Sequence, residues 1–411
     1  MPRSHVPTLA ASPLRRPRTG RHSHLGAARR RSFRCTVAAF ALGIAFAPLA
    51  VADITIGVTL SATGPAASLG IPEKNTIELL PHTVGGEKIK WIVLDDGSDT
   101  TRAVTNTRKF INEDNVDVVV GSTVTPNSLA MVDIVADAQV PMVSMAASAR
   151  IVDPANPKTK WVFKVPQNDS LMADAIAKHM KAHGMKTIGY IGFNDAYGES
   201  WLAEIKRAAA ANGLQVVADE KYNRNDTSVT GQVLKLVSAN PDAILIGASG
   251  TPGATPQKEL VARHYKGKIY QTHGVANPDF LRVCGADCDG TLLPIGPMLV
   301  FEQLPESNPV KKVAAKYITQ YEAKYGKDSR TTFGGHAYDA FALLEHAIPV
   351  ALKTAKPGTK EFRAALRDAL EKDEVTGTHG VFVMTPQNHN GLDERAVVMI
   401  TIDHGKWVLA K

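Results

Sequence analysis

Apolar runs too short to be helices recur along the chain, and between them the apolar positions take the three-to-four spacing of amphipathic helices. Ile54 to Leu60, Lys90 to Leu94, Val116 to Val120 and Pro141 to Ser144 are the first such runs. Nearly unbroken Val, Ile and Leu is what a strand buried on both faces of a parallel sheet requires. Helices are predicted from the turn Ser61 to Pro65 up to about Leu80, over Thr100 to Asp114, and from Pro126 onward. This alternation predicts an α/β fold, a parallel sheet with helices on both faces.

Near Trp161 to Pro166 the pattern restarts rather than extends. Helices are predicted over Asp169 to Ala182, Ala196 to Asn212, about Ser228 to Ser238 and about Pro256 to Arg263. Strands are predicted over Thr187 to Gly192, Gln215 to Lys221, Ala243 to Gly247 and Lys268 to Thr272. Two α/β halves of similar size follow from this. After a change at Leu292 to Pro297 come helices at about Pro309 to Lys324, Gly335 to Leu352 and Lys360 to Lys372. The strand-like segments Gly380 to Pro386 and Ala396 to Asp403 close the chain. Strands after a helical run imply a return crossing, so each half is discontinuous.

The stretch Gly121 to Ala149 carries the first candidate chemistry. Its two loops, around Ser122, Thr123 and Thr125 and around Ala146, Ala147 and Ser148, follow neighbouring strands. They therefore lie at the carboxyl edge of the sheet, where open α/β sheets bind ligands. Hydroxyls and free N–H groups at a helix start suit an anion, and the small residues let backbone approach it. The competing reading of a single Ser/Thr loop is a helix cap. Two such loops side by side favour a carboxylate pocket.

Charge changes meaning once the first 52 residues are set aside. They hold nine arginines and no acid, then an apolar run from Val37 to Leu49 and Ala50-Val51-Ala52. A basic start, a short apolar core and an A-x-A site make a secretory signal peptide, and Cys35 is expected to leave with it. Of 47 basic residues 38 remain against 40 acidic ones, so the net charge of +7 becomes about −2 and nucleic acid loses its electrostatic basis as a partner. The remaining cysteines, Cys284 and Cys288, are expected to close a small surface disulfide in an oxidising compartment. Asp95 and Asp96 read as solvated or capping acids rather than metal ligands, and no cofactor motif is present: the chain has no GxSxG, no GxGxxG after the first strand and no P-loop.

DITIGVTLSATGP, LDDGSDTTRAVTNTRKFI, the GSTVTP loop, PMVSMAASA, FNDAYGES, HGVANPDF and TPQNHNG together resemble type I periplasmic binding proteins, and more narrowly the branched-chain amino acid (Leu/Ile/Val) receptors of ABC importers. The resemblance implies two α/β lobes that close on a ligand, joined by crossings near Lys164 to Asn168, Pro294 to Val300 and Thr376 to Met384. Residues 53–164 with 298–376 would form the N-terminal lobe and 165–297 with 377–411 the C-terminal one. It implies that Ser122, Ala146 and Ser148 hold the ligand's carboxylate, that Tyr197 contributes from the second lobe, and that Ala67, Ser68 and Leu69 shape the side-chain pocket. Where the family's amino acid receptors carry a glutamate for the ligand's ammonium this chain has His273, and the second-lobe loop becomes Gly247 to Pro252, with Ser249 at its centre. A neutral imidazole does not supply the negative charge that a desolvated ammonium needs. The ligand is therefore expected to be either a hydrophobic amino acid or a carboxylate without ammonium, such as an aromatic or keto acid.

The expected role is an exported, monomeric solute-binding component that passes a small carboxylate to a membrane permease, with no metal and no catalysis. Three other classes compete with this reading. An enzyme lacks its motifs. A repressor of this fold would need an N-terminal helix-turn-helix where the signal stands. A ligand-sensing receptor subunit would call for a membrane-spanning segment after the lobes, which is not read in the sequence. His336 and Tyr338 are expected to pack their helix onto the first lobe rather than face the cleft.

Overall fold

The computed structural model describes residues 53–410; the expected signal peptide lies outside them. In chain order the elements are β1 (Ile54–Leu60), α1 (Ala67–Ile77), β2 (Thr83–Val84), β3 (Glu87–Asp95), α2 (Thr100–Asn112), β4 (Val118–Val120), α3 (Thr125–Ala138), β5 (Met142–Ser144), β6 (Val162–Lys164), α4 (Asp169–Ala182), β7 (Thr187–Phe193), α5 (Ala196–Asn212) and β8 (Gln215–Tyr222). There follow α6 (Thr230–Ser238), β9 (Ala243–Gly247), α7 (Ala254–Ala262), β10 (Lys268–Gln271), α8 (Pro278–Cys284), β11 (Leu292–Ile295), α9 (Val310–Tyr325), α10 (Thr332–Ala351), α11 (Lys360–Leu370), β12 (Glu374–Thr376), β13 (Val381–Val383), β14 (Val398–Asp403) and β15 (Lys406–Leu409).

Two mainly parallel sheets define two lobes. The first has the order β2-β3-β1-β4-β5-β6 and the second β15-β14-β11-β10-β9-β7-β8. Within each, the five strands from β3 to β6 and from β11 to β8 run parallel, while β2, β14 and β15 pair antiparallel at one edge. In both sheets the first parallel strand, β1 or β7, sits between later ones. Successive crossovers therefore go to opposite sides and open a crevice at the strands' carboxyl ends.

Strand periodicity separates the cores. Ile54, Ile56, Val58 and Leu60 of β1 pack with Val118, Val120 and Val143 against Leu344, Ile348 and Phe362 of α10 and α11. Val119 and Met142 point the other way, onto Phe110 of α2 and Met131 and Val135 of α3. A Cβ at position 57 would meet the Phe110 ring at 2.7 Å, so Gly57 is what lets that ring lie on β1. Truncating the fully buried Phe110 would cost about 3–5 kcal/mol. In the second lobe α4, α5 and α6 cover the sheet through Met172, Ile176, Trp201, Ile205 and Leu236.

Two expectations change here. Phe382 and Met384 belong to the first lobe's core, and Leu392 packs on it too, whereas Val397 packs on the second lobe. The last crossing thus falls between Leu392 and Val397, later than Thr376 to Met384, because the β12–β13 hairpin is held by its apolar side chains before the chain returns. Cys284 and Cys288 are free and buried in a cluster with Phe280, Leu293 and Ile400. They are not at the surface, because α8 and the turn after it fold under the sheet edge.

Candidate ligand-binding site

Between the lobes lies a narrow cavity lined by Leu69, Thr123, Val124, Thr125, Met145, Ala147, Pro166, Tyr197, Arg224, Ser249, His273, Gly274, Phe333 and His336. The lining follows from topology. Thr123 to Thr125 follow β4 and Met145 and Ala147 follow β5, whereas Tyr197, Arg224, Ser249 and His273 follow β7, β8, β9 and β10 in turn. Phe333 and His336 come from the first turns of α10. Each lobe offers its strand ends to the other.

Six of the sequence-predicted residues, Leu69, Thr123, Ala147, Tyr197, Ser249 and His273, line this cavity. Four do not: Ser68, Ser122, Ala146 and Ser148. The Ser122 hydroxyl donates to Asp96 at 2.6 Å. It is aimed there by Gly121, whose φ of +119° leaves no room for a side chain: a Cβ would sit 1.9 Å from the Thr59 carbonyl. Ser148 meets Ser200 of the second lobe, hydroxyl to hydroxyl, at 2.7 Å. Ser68 lies under Gly250 of the second lobe, 2.9 Å from where a Cβ there would stand. The Ser122 and Ser148 hydroxyls, expected to hold a carboxylate, are here bonded within the protein and turned from the cavity.

Asp96 also departs from expectation. It is fully buried and ties three loops together, accepting from the hydroxyls of Ser61 at 2.7 Å and Ser122 at 2.6 Å and from the Ser98 N–H at 3.0 Å. Thr123 likewise spends its hydroxyl, donating to Glu73 at 2.5 Å and accepting from the Ser61 N–H at 2.9 Å. Burial raises the Glu73 carboxyl well above its ordinary range, against the Thr123 hydrogen bond that lowers it, with nearby Asp96 adding to the rise.

What remains open in the cavity is a distinct set of polar atoms. Thr125 Oγ1, Arg224 Nη2 and all four ring nitrogens of His273 and His336 are buried without a hydrogen-bond partner in the protein. Buried polar atoms are ordinarily paired; others are left unpaired elsewhere in the protein, but these six belong to residues that line one space. Arg224 is held in place: its Nε donates to Asp195 at 2.6 Å, its Nη1 to Ser249 at 3.1 Å, and its guanidinium lies 4.1 Å above the Phe193 ring. Asp195 also caps α5. The guanidinium is thus clamped on one edge and free on the other.

His273 and His336 are 3% and 1% exposed. Burial depresses the His273 imidazole to about 3, with Lys164 and His379 adding to the effect, and lowers His336 well below its usual range, with His379, His273 and Lys164 contributing. Both rings are neutral at pH 7. Tyr197, whose phenol burial pushes up, bonds Thr272 at 2.8 Å. No Asp or Glu lines the cavity, and among the described residues no group of three His, Cys, Asp or Glu could hold a metal.

Sequence reasoning missed Arg224 and set His336 aside as packing. Arg224 lies in the polar run Asn223 to Ser228, which reads as surface. The available signal was its place immediately after a parallel strand.

Two lobes of doubly wound sheet, with a cleft between their carboxyl ends lined by both, define a solute-binding protein. A family model for periplasmic binding proteins matches residues 53–406, and the chain belongs to that family, which is extracytoplasmic and binds solutes rather than catalysing reactions. An extracellular ligand-binding receptor from Rhodopseudomonas palustris HaA2 is 47% identical, with a TM-score of 0.85 over 88% of this chain and 100% of that one. The Leu/Ile/Val-binding protein homolog 3 of Brucella melitensis is 27% identical over 264 residues, 62% of this chain and 70% of the relative. The Leu/Ile/Val-binding protein BraC3 of Rhizobium johnstonii is 25% identical over 335 residues, covering 80% and 86%.

Proposed function

We propose that this chain captures a small organic carboxylate that carries no ammonium, of the aromatic or keto acid class, and delivers it to the membrane permease of an ABC importer. The observation that carries this reading is the free edge of the Arg224 guanidinium in a cavity without an acidic side chain. A carboxylate there gains a charge-assisted hydrogen bond, and Thr125 at the start of α3 faces the same space from the other lobe. A ligand ammonium would be desolvated with no counter-charge, which costs several kcal/mol. Leu69, Val124, Met145, Tyr197 and Phe333 enclose the body of the ligand, favouring an apolar or aromatic one.

The lobes close about the crossings at Lys164 to Asn168 and Pro294 to Val300 and the segment after Leu392. Differential contacts with the second lobe then drive closure. Residues 1–52 serve as the export signal, and the mature chain acts as a monomer. Calorimetric titration with benzoate, phenylglyoxylate, phenylalanine and leucine tests the ligand class. The acids lacking ammonium are expected to bind, and to bind at least tenfold more weakly to Arg224→Met. Tight leucine binding overturns the reading, as does binding of the acids that is unchanged in Arg224→Met.

A further inference from the structure

The cavity has two polar ends of different character. At the more exposed end Arg224, its side chain 14% exposed, lies over Phe193. Its guanidinium stands 5.9 Å from the Tyr197 ring. Beyond Tyr197 come Trp201 and then His273, with ring centroids 6.4 Å and 5.8 Å apart in turn. His336 approaches the same inner end from the first lobe, 4.4 Å from the His379 ring. That inner end is the hinge. Position 296, on the second crossing, would place a Cβ 2.2 Å from His379 and 2.7 Å from Gln167 of the first crossing. His379 itself is anchored by Asp339 at 2.9 Å and Thr332 at 2.8 Å, leaving His336 without a share in that network.

A neutral imidazole presents one N–H donor and one acceptor nitrogen. Two of them, from opposite lobes and with no partner in the protein, make a site that both gives and accepts hydrogen bonds. A ligand hydroxyl satisfies both functions at once. A methyl or bare ring edge leaves four buried nitrogens unpaired, and each unpaired buried group carries a desolvation cost. A second carboxylate would need countercharge, and Lys164, the nearest buried cation, already donates to the Pro166 carbonyl at 2.5 Å and to Asn168 at 2.8 Å.

We propose that His273 and His336 form a second polar subsite that selects solutes bearing an uncharged hydroxyl at the end remote from the carboxylate, so that the cargo is a ring-hydroxylated aromatic acid. This rests on the carboxylate reading for the Arg224 end alone. The hydroxyl donates to one imidazole and accepts from the other, bridging the lobes at the hinge side while the carboxylate bridges them nearer the mouth.

Matched pairs test it: benzoate with 4-hydroxybenzoate, and phenylacetate with 4-hydroxyphenylacetate, titrated calorimetrically into wild type, His273→Phe, His336→Phe and Arg224→Met, each first checked for a cooperative melt. The hydroxylated member of at least one pair is expected to bind ten or more times tighter to wild type. That ratio should fall to near one in either histidine variant. Arg224→Met should weaken both members and leave their ratio intact. Equal binding within both pairs, or a ratio that survives both histidine substitutions, overturns the subsite. Should no acid bind, the carboxylate reading fails, and phenol against toluene, followed by NMR, then decides the subsite alone. A preference for phenol that His273→Phe abolishes supports it; no preference overturns it.

Discussion

The hydroxyl of Ser148, in the loop after a first-lobe strand, lies 2.7 Å from the hydroxyl of Ser200 in the second lobe. Ser200 donates in turn to Asp169 at 2.5 Å, and the other oxygen of Asp169 accepts from the Ala149 N–H at 3.0 Å. The three side chains form a polar latch across the closed interface, beside the cavity and not in it. Removing one hydroxyl forfeits a net ~0.5–1.5 kcal/mol, all of it in the closed state. Ser200→Ala is therefore expected to weaken ligand affinity about threefold to tenfold and to raise the radius of gyration measured by small-angle scattering without ligand. An unchanged radius together with unchanged affinity removes the latch.

Ser122→Ala separates structure from recognition. Its hydroxyl serves Asp96, which is buried and needs all its donors. The variant should lose on the order of 1–3 kcal/mol of unfolding free energy in urea denaturation while ligand affinity moves less than threefold. A large loss of affinity at unchanged stability would return Ser122 to the ligand.

At Gly250 the second-lobe backbone runs close against side chains of the first lobe. Its φ is +65°, and a Cβ would stand 2.8 Å from Leu69 Cδ1 and 2.9 Å from Ser68 Oγ of the opposite lobe. Gly250→Ala is expected to prop the lobes apart. It should lower affinity tenfold or more with the far-ultraviolet dichroism of wild type, and wild-type affinity would contradict it.

The buried histidines fix an acid limit. In the unfolded chain His273 protonates near 6.5, whereas in the folded chain it stays neutral down to about 3. Between these values the unfolded state binds the extra proton, so stability falls as pH falls, by ~1.4 kcal/mol per pH unit for one such group. His336 acts in the same direction. Replacing His273 by Gln should flatten the dependence of unfolding free energy on pH between about 6 and 4 by up to that slope. An identical slope would show that the imidazole titrates normally.

How much of this was legible follows from where the information lies. The strands β1, β7 and β9 and the helices α4 and α5 were readable because each is decided by its own run of side chains. The short edge strands β2 and β12 and the helix α8 have too few residues to carry a period. At the site, the strand-end loops could be located, which brought in Thr123 and Ala147, and the family resemblance added Leu69, Tyr197, Ser249 and His273. Side-chain direction could not. Ser122 is turned by the backbone at Gly121 toward an aspartate 26 residues away, and Arg224 is turned inward by Asp195, 29 residues away. Both are pairings in space that no local spacing records.

Every side chain taken as contacting solute sits past the end of a strand or in the opening turns of a helix, while the strand bodies beneath are packed on both sides. The two cores and the chemistry of recognition are thereby carried by different residues. Substitutions at Arg224, Ser249, His273 or Phe333 can exchange one cargo for another without a folding penalty in the sheets, so new transport specificities are within reach of a few point changes from a single ancestral scaffold.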